Sequence, residues 1–185
     1  MLPKWLRTTS SVLLRISRGR AAGKCAVQRR AVSSDPADYF HYTRVVFGTL
    51  SPSFVAQSLR HQEPAKPIDL EKAMRQHENY MTQVKNLIPH AVQIAADDAL
   101  PDLVYVEDPA VVLDGKALIT RMGQASREGE IKHVRPVLAE MGFQIYEVDD
   151  PEAIVDGGDV IFTGREFLVG LSKRTNKASR LTYIL

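Results

Sequence analysis

Two stretches of this chain follow one plan about fifty residues apart, and a repeat of that length constrains the fold more than any single motif. In the first, Asp102-Leu-Val-Tyr-Val-Glu-Asp108 leads into the apolar run Ala110–Leu113, a turn at Asp114-Gly115, a strand Ala117–Arg121 and a loop with Arg127. In the second, Asp156-Gly-Gly-Asp159 leads into Val160–Thr163, a turn at Gly164-Arg165, a strand Phe167–Gly170 and a loop with Arg174. Between them the pattern predicts a helix capped near Ser126 and ending at Gly142, then a strand Phe143–Val148. Such a unit of strand, strand, helix and strand buries its faces only against neighbouring units. The chain is therefore expected to be α/β. The second unit has two strands and no helix before the chain stops, so the chain is expected to be part of a longer array, broken off after Asn176.

Upstream, Thr43–Phe47 has the β-branched and aromatic content of a strand, and Ser51-Pro52 predicts the start of a short helix running through Leu59. Asp69 is placed to cap a longer helix, in which Leu70, Ala73, Met74, Tyr80, Met81 and Val84 recur at helical spacing until Pro89. Val92–Ala96 is the next expected strand.

The net charge of +2 hides a division. Residues 1–34 hold Lys4, Arg7, Arg15, Arg18, Arg20, Lys24, Arg29 and Arg30 and no acid, so the rest of the chain carries an excess of acids. Residues 35–185 thus have no broad basic surface, and nucleic acid is not an expected partner. In the basic segment Trp5, Val12, Leu13 and Ile16 share one helical face and Lys4, Arg7, Arg15 and Arg18 the opposite one. That composition predicts an amphipathic helix and a mitochondrial transit sequence, with residues 35–185 as the folded domain and the matrix as its location; the cytoplasm is the alternative. No apolar run is long enough to span a bilayer as a helix, and no membrane partner is expected. Cys25, the single cysteine, lies within the basic segment.

The loops that end the strands carry two kinds of charge. Asp102, Glu107 and Asp108 suit a guanidinium or ammonium group through charge-assisted hydrogen bonds, while Arg127 and Arg174, at equivalent places of successive units, suit a carboxylate. An amino acid with a cationic side chain presents both. Read singly, these are solvated loop charges, and Asp156-Gly-Gly-Asp159 is a plain turn. No His-x-x-x-His spacing supports a metal, and His77 and His133 fall within helices, with His41, His61 and His90 at loops or helix ends. Neither Gly-x-Ser-x-Gly nor Gly-x-Gly-x-x-Gly occurs. No metal or cofactor is expected.

The stretches Leu100–Asp108, Ala117–Arg121 with Ser126-Arg127, and Phe162–Asn176, with a weaker match back through Tyr80, His77 and Arg75 to Leu59-Arg60, resemble the dimethylarginine dimethylaminohydrolases, of the guanidino-modifying superfamily. The resemblance runs from residue 43 to residue 176. It implies a five-bladed α/β propeller built from such units, of which this chain is roughly the N-terminal half. It also implies hydrolysis of asymmetric dimethylarginine and monomethylarginine to citrulline and methylamines, a reaction that regulates nitric oxide synthesis. By motif match, Asp102, Glu107 and Asp108 surround the guanidino end, Arg127 and Arg174 the amino-acid end, Leu59 lies on a flap, and Asp156 orients a catalytic histidine. A cysteine attacks the guanidino carbon, the histidine protonates the departing amine, and water releases citrulline. That histidine and that cysteine match no residue here, so the chain itself is expected to be inactive. The alternatives are an arginine deiminase or amidinotransferase type, or a non-catalytic binding or regulatory fragment that self-associates through unclosed propeller edges.

Overall fold

The computed structural model describes the backbone of residues 11–14 and the residues 42–60, 62–88, 90–163 and 166–179. Its strands are β1 Ser11–Leu14, β2 Arg44–Gly48, β3 His90–Ile94, β4 Ala110–Leu113, β5 Lys116–Ile119, β6 Gln144–Glu147, β7 Val160–Phe162 and β8 Phe167–Val169; its α-helices are α1 Phe54–Gln57, α2 Leu70–Leu87 and α3 Ile131–Glu140.

The repeat is visible in the sheet topology. β4 pairs antiparallel with β5, and β5 pairs parallel with β6 across the α3 crossover. β1, β2 and β3 have the same order and the same senses, with α2 in the crossover. A third sheet holds β7 and β8, antiparallel. Alternation along the strands then packs the units. Val45 and Phe47 face Met81 and Ile88 at α2, while their neighbour Val46 joins Ile94 in a larger core with Val134, Leu138, Ala110, Ala117 and Ile119. Leu118 points out of that core to meet Val155, Val160 and Val169 of the third unit. Ile161 and Leu168, the pair that corresponds to Val111 and Leu118, are 63% and 53% exposed.

Local rules explain most boundaries. The Asp69 carboxylate accepts from Lys72 N at 2.9 Å, so the expected cap opens α2. Asp114 and Gly115 both have positive φ, 46° and 81°, the geometry of a two-residue hairpin turn with the strands' own twist. Gly142, at φ 82°, closes the turn after α3.

Several expectations are corrected. Ser11–Leu14 is a strand on the edge of β2, not part of a helix; β2 offers an open row of backbone groups there, and pairing satisfies them. The remainder of the basic segment, with His41, His61, Pro89 and the Gly164-Arg165 turn, lies outside the described residues. α1 spans four residues and ends before Leu59, and Ser51 does not cap it: its hydroxyl donates to Asp98 Oδ1 at 2.6 Å and accepts from Ser53 N at 3.0 Å. The helix expected from Ser126 begins instead with a 3-10 turn, Ala125–Glu130. His90 lies in β3 rather than a loop.

Candidate active site

The loop from Asp102 to Asp108 is held from every side by backbone and charge. Gly157 N donates to Asp108 O at 2.8 Å, Thr120 Oγ1 donates to the same oxygen at 2.8 Å, and Gly158 N donates to Asp108 Oδ1 at 3.1 Å. That approach needs both glycines. A Cβ on Gly157 would overlap the carbonyl oxygen of Glu107, and one on Gly158 would lie 2.5 Å from Asp108 Oδ1. The Asp-Gly-Gly segment is thus a turn that also builds the site wall.

Arg127 lies beneath this loop, 3% exposed. Its Nε and Nη2 donate to Glu130 Oε1 and Oε2 at 2.7 Å each, Nη1 donates to Asp108 Oδ2 at 2.5 Å, and Nη2 also faces the carbonyls of Asp102 and Tyr105 at 3.2 and 3.4 Å. The guanidinium stands 5.9 Å from the Tyr105 ring centroid. Burial works against its charge, but Glu130 and Asp108 more than offset this, so Arg127 stays charged.

Arg174 is placed differently. Its side chain is 35% exposed, and Nε stands 2.7 Å from Asp156 Oδ2. The contact is one of charge, since the N–H is not aligned and Oδ2 receives no hydrogen bond among the described residues. The loop that carries Arg174 is fastened by Thr175, whose hydroxyl donates to Asp159 Oδ2 at 2.6 Å and accepts from Asp156 N at 3.0 Å. Asn176 joins it to the next segment back, with Ile154 N donating to Oδ1 at 3.3 Å and Nδ2 donating to Glu152 O at 2.8 Å.

The carboxyls are crowded and out of water. Burial, then the charge of Asp108, pushes Glu107 up to about 8, and its buried Oε2 has no hydrogen-bond partner among the described residues. Burial and the adjoining Asp108 carboxylate push Asp156 up to about 7. Asp102 is also raised, chiefly by burial, against the pull of the Leu59 amide, which donates to its two oxygens at 3.2 and 3.1 Å. Leu59 therefore meets the acidic loop through its backbone, with its side chain outward.

Of the residues singled out from the sequence, Asp102, Glu107, Asp108, Arg127, Asp156 and Arg174 converge, and Leu59 touches them through Asp102. Arg127 is turned into the protein, whereas Arg174 stands at the mouth. Two residues with a part in the arrangement were not singled out, Glu130 and Thr175, and the sequence reads Asp159 only as part of a turn. For Glu130 the available signal was its place three residues after Arg127 at the start of a helix, a spacing that brings the two side chains together. The described histidines stay apart: His77 bonds Gly48 O at 2.8 Å, and His133 pairs with Asp97 at 3.2 Å. Among the described residues no group of His, Cys, Asp and Glu is arranged to hold a metal ion, and no helix is long and apolar enough to cross a membrane.

No family profile matches the chain. Individual proteins do. The chain superimposes on DDAH of Pseudomonas aeruginosa, solved with citrulline, with a TM-score of 0.69 at 27% identity, over 75% of this chain and 54% of that one. By fold and sequence the chain is similar to enzymes of the guanidino-modifying class and is built from the same α/β units.

Within that class its sequence similarity is to the dimethylarginine dimethylaminohydrolases. It is 34% identical to N(G),N(G)-dimethylarginine dimethylaminohydrolase of Streptomyces coelicolor over 128 residues, 69% of this chain and 49% of that protein. It is 40% identical to the Bos taurus protein named DDAH2 over 110 residues, 59% of this chain and 39% of that protein. The chain thus spans less than half the length of these two sequence relatives.

Proposed function

We propose that this chain forms the guanidino-binding half of a dimethylargininase-type site and binds methylated arginines without hydrolysing them. One observation carries the reading: five carboxyls, Asp102, Glu107, Asp108, Glu130 and Asp156, share a largely buried site with two arginines. Acids exceed bases even with Glu107 and Asp156 protonated. A buried excess of negative charge with an unpartnered carboxylate oxygen favours a cationic ligand. The guanidinium end of an arginine derivative would take Asp102, Glu107 and Asp108, and its carboxylate would take the free end of Arg174, which faces solvent.

Turnover needs a nucleophile and a proton donor. Among the described residues there is no cysteine, and His77, His90 and His133 lie on other elements, so those residues supply neither at this site. Hydrolysis of asymmetric dimethylarginine and monomethylarginine to citrulline, with its consequence for nitric oxide synthesis, belongs in this reading to a protein that adds both groups. Calorimetric titration of the full chain with dimethylarginine tests the proposal: saturable binding without citrulline release is expected. Citrulline release would overturn the inactive part of it, and no binding would overturn the whole.

Two further parts of the reading have their own support. The basic, acid-free composition of residues 1–34 favours import into mitochondria; a reporter fused to those residues that stayed cytosolic would overturn it. The exposed Ile161 and Leu168, whose counterparts in the preceding unit are covered, favour self-association, and Leu168→Lys should then shift sedimentation toward monomer.

A further inference from the structure

We infer that Glu130 is a positioning residue for the cation site: it fixes Arg127, and Arg127 in turn fixes Asp108 and the carbonyls that frame the acidic loop. The inference rests on the cation-binding reading above. Glu130 is 0% exposed, at the start of α3, and it accepts from two edges of the Arg127 guanidinium at 2.7 Å. A fork-to-fork pair fixes the plane and rotation of the guanidinium, which a single contact does not. With that plane set, Nη1 points at Asp108 Oδ2 and Nη2 at the carbonyls of Asp102 and Tyr105. Four of the five N–H groups of Arg127 are used, all within the chain.

A purely stabilising role explains this poorly. A buried ion pair is in general no more stabilising than an apolar pair of similar volume. What the pair supplies here is direction. Asp108 holds Gly158 N on one oxygen and Arg127 on the other, so its carboxylate cannot turn, and the loop from Asp102 to Asp108 bends around the Arg127 head. A guanidinium ligand would meet carboxylates already in place, and would not pay to order them. Glu130 also balances the charge of Arg127, which leaves the remaining acids free to act on a ligand. Glu130 itself reaches no atom that a ligand could touch.

The test uses the full chain and three variants: Glu130→Gln, Arg127→Met, and Arg127→Met with Glu130→Met. The first readout is the Arg127 Nε–H resonance in the ligand-free protein, the second is the affinity for dimethylarginine, and the third is the titration midpoint of the Glu107 carboxyl. In Glu130→Gln one edge of the pair becomes donor against donor, so the resonance should shift and lose protection, with a loss of affinity of tenfold or more. The Glu107 midpoint, about 8, should shift, since the Arg127 charge is no longer balanced by Glu130 or fixed against Asp108. The double methionine variant should remain folded and still lose tenfold or more in affinity. A folded double variant that binds as tightly as the unaltered chain overturns the inference, as does an unchanged Glu107 midpoint in Glu130→Gln. If the unaltered chain binds no dimethylarginine, the cation-binding reading falls, and the Glu107 midpoint alone decides the role of Glu130.

Discussion

Arg127 and Arg174 stand at equivalent places in successive units, yet one is enclosed and the other open. Arg127 has Glu130 and Asp108 on its two sides and two carbonyls at its end, and water reaches almost none of it. Arg174 touches Asp156 with one edge and keeps the rest toward solvent. The difference lies in the residues next along the chain: Arg127 runs into the turn that starts α3 and brings Glu130 under it, while Arg174 runs into Thr175-Asn176, which fasten the backbone and leave the side chain free. Equivalent position in a repeat thus assigns a residue type, and the neighbours assign its role. One arginine is built into the wall, and the other stays open at the mouth.

The largest expected effect comes from that contrast. Arg127→Ala removes the cation at the centre of a buried cluster and leaves Glu130 and Asp108 unpaired, which should cost about 3–5 kcal/mol of stability by chemical denaturation. A loss below about 1 kcal/mol would mean that Arg127 is no more embedded than Arg174, and the comparison would fail. Gly157→Ala is next. Its Cβ would overlap the Glu107 carbonyl, and since that oxygen belongs to the backbone, the acidic loop must move; about 1–3 kcal/mol of stability should be lost, with weaker ligand binding.

The parts of this arrangement that could be read from the sequence are those set by neighbours along the chain. Asp69 as a cap, Asp114-Gly115 as a turn, and the apolar run Ala110–Leu113 as a strand each depend on a few consecutive residues, and each is found. The paired acids and arginines were legible as a set because the repeat places them at strand ends. Their roles were not legible. Ser51 reads as a helix cap, but its hydroxyl is claimed by Asp98, 47 residues away. Glu130 reads as an ordinary charge at a helix start, and only the fold shows that Asp102, Tyr105 and Asp108 close over its partner. The edge pairing of Ser11–Leu14 likewise depends on β2, which is itself legible but lies outside the window in which the periodicity of residues 1–34 is read.

The raised carboxyls give the open side of the site a pH dependence of two opposite signs. Glu107 and Asp156 have folded-state values near 8 and 7, above their unfolded values, so the folded chain holds protons that the unfolded chain releases. Stability from this source is full below the unfolded values and is lost as pH rises through 7 to 8. The melting temperature should therefore fall between pH 6 and pH 9. Affinity for a cationic ligand should move the other way and tighten several-fold over the same interval, because ionised Glu107 and Asp156 strengthen the field around Asp102 and Asp108. A melting temperature that rises over this range would mean that the two carboxyls are ionised throughout, and that the site is wetter than its burial indicates.

The smallest effect on stability is expected at Arg174. Its ion pair is open to water on the Arg174 side only and is unaligned, and its partner Asp156 can take up a proton when left alone, so Arg174→Ala should cost less than about 1 kcal/mol. Removal of the Asp156 contact should instead raise the Asp156 midpoint above about 7, since Arg174 is the cation that opposes the effects of burial and Asp108 most directly. The affinity change should depend on the ligand. Dimethylarginine, with its carboxylate, should lose tenfold or more, whereas a guanidinium compound that lacks a carboxylate should lose far less, because its recognition rests on Asp102, Glu107 and Asp108. Equal losses for both ligands would show that Arg174 acts on the site as Arg127 does, by holding its walls, and the distinction between the two arginines would disappear.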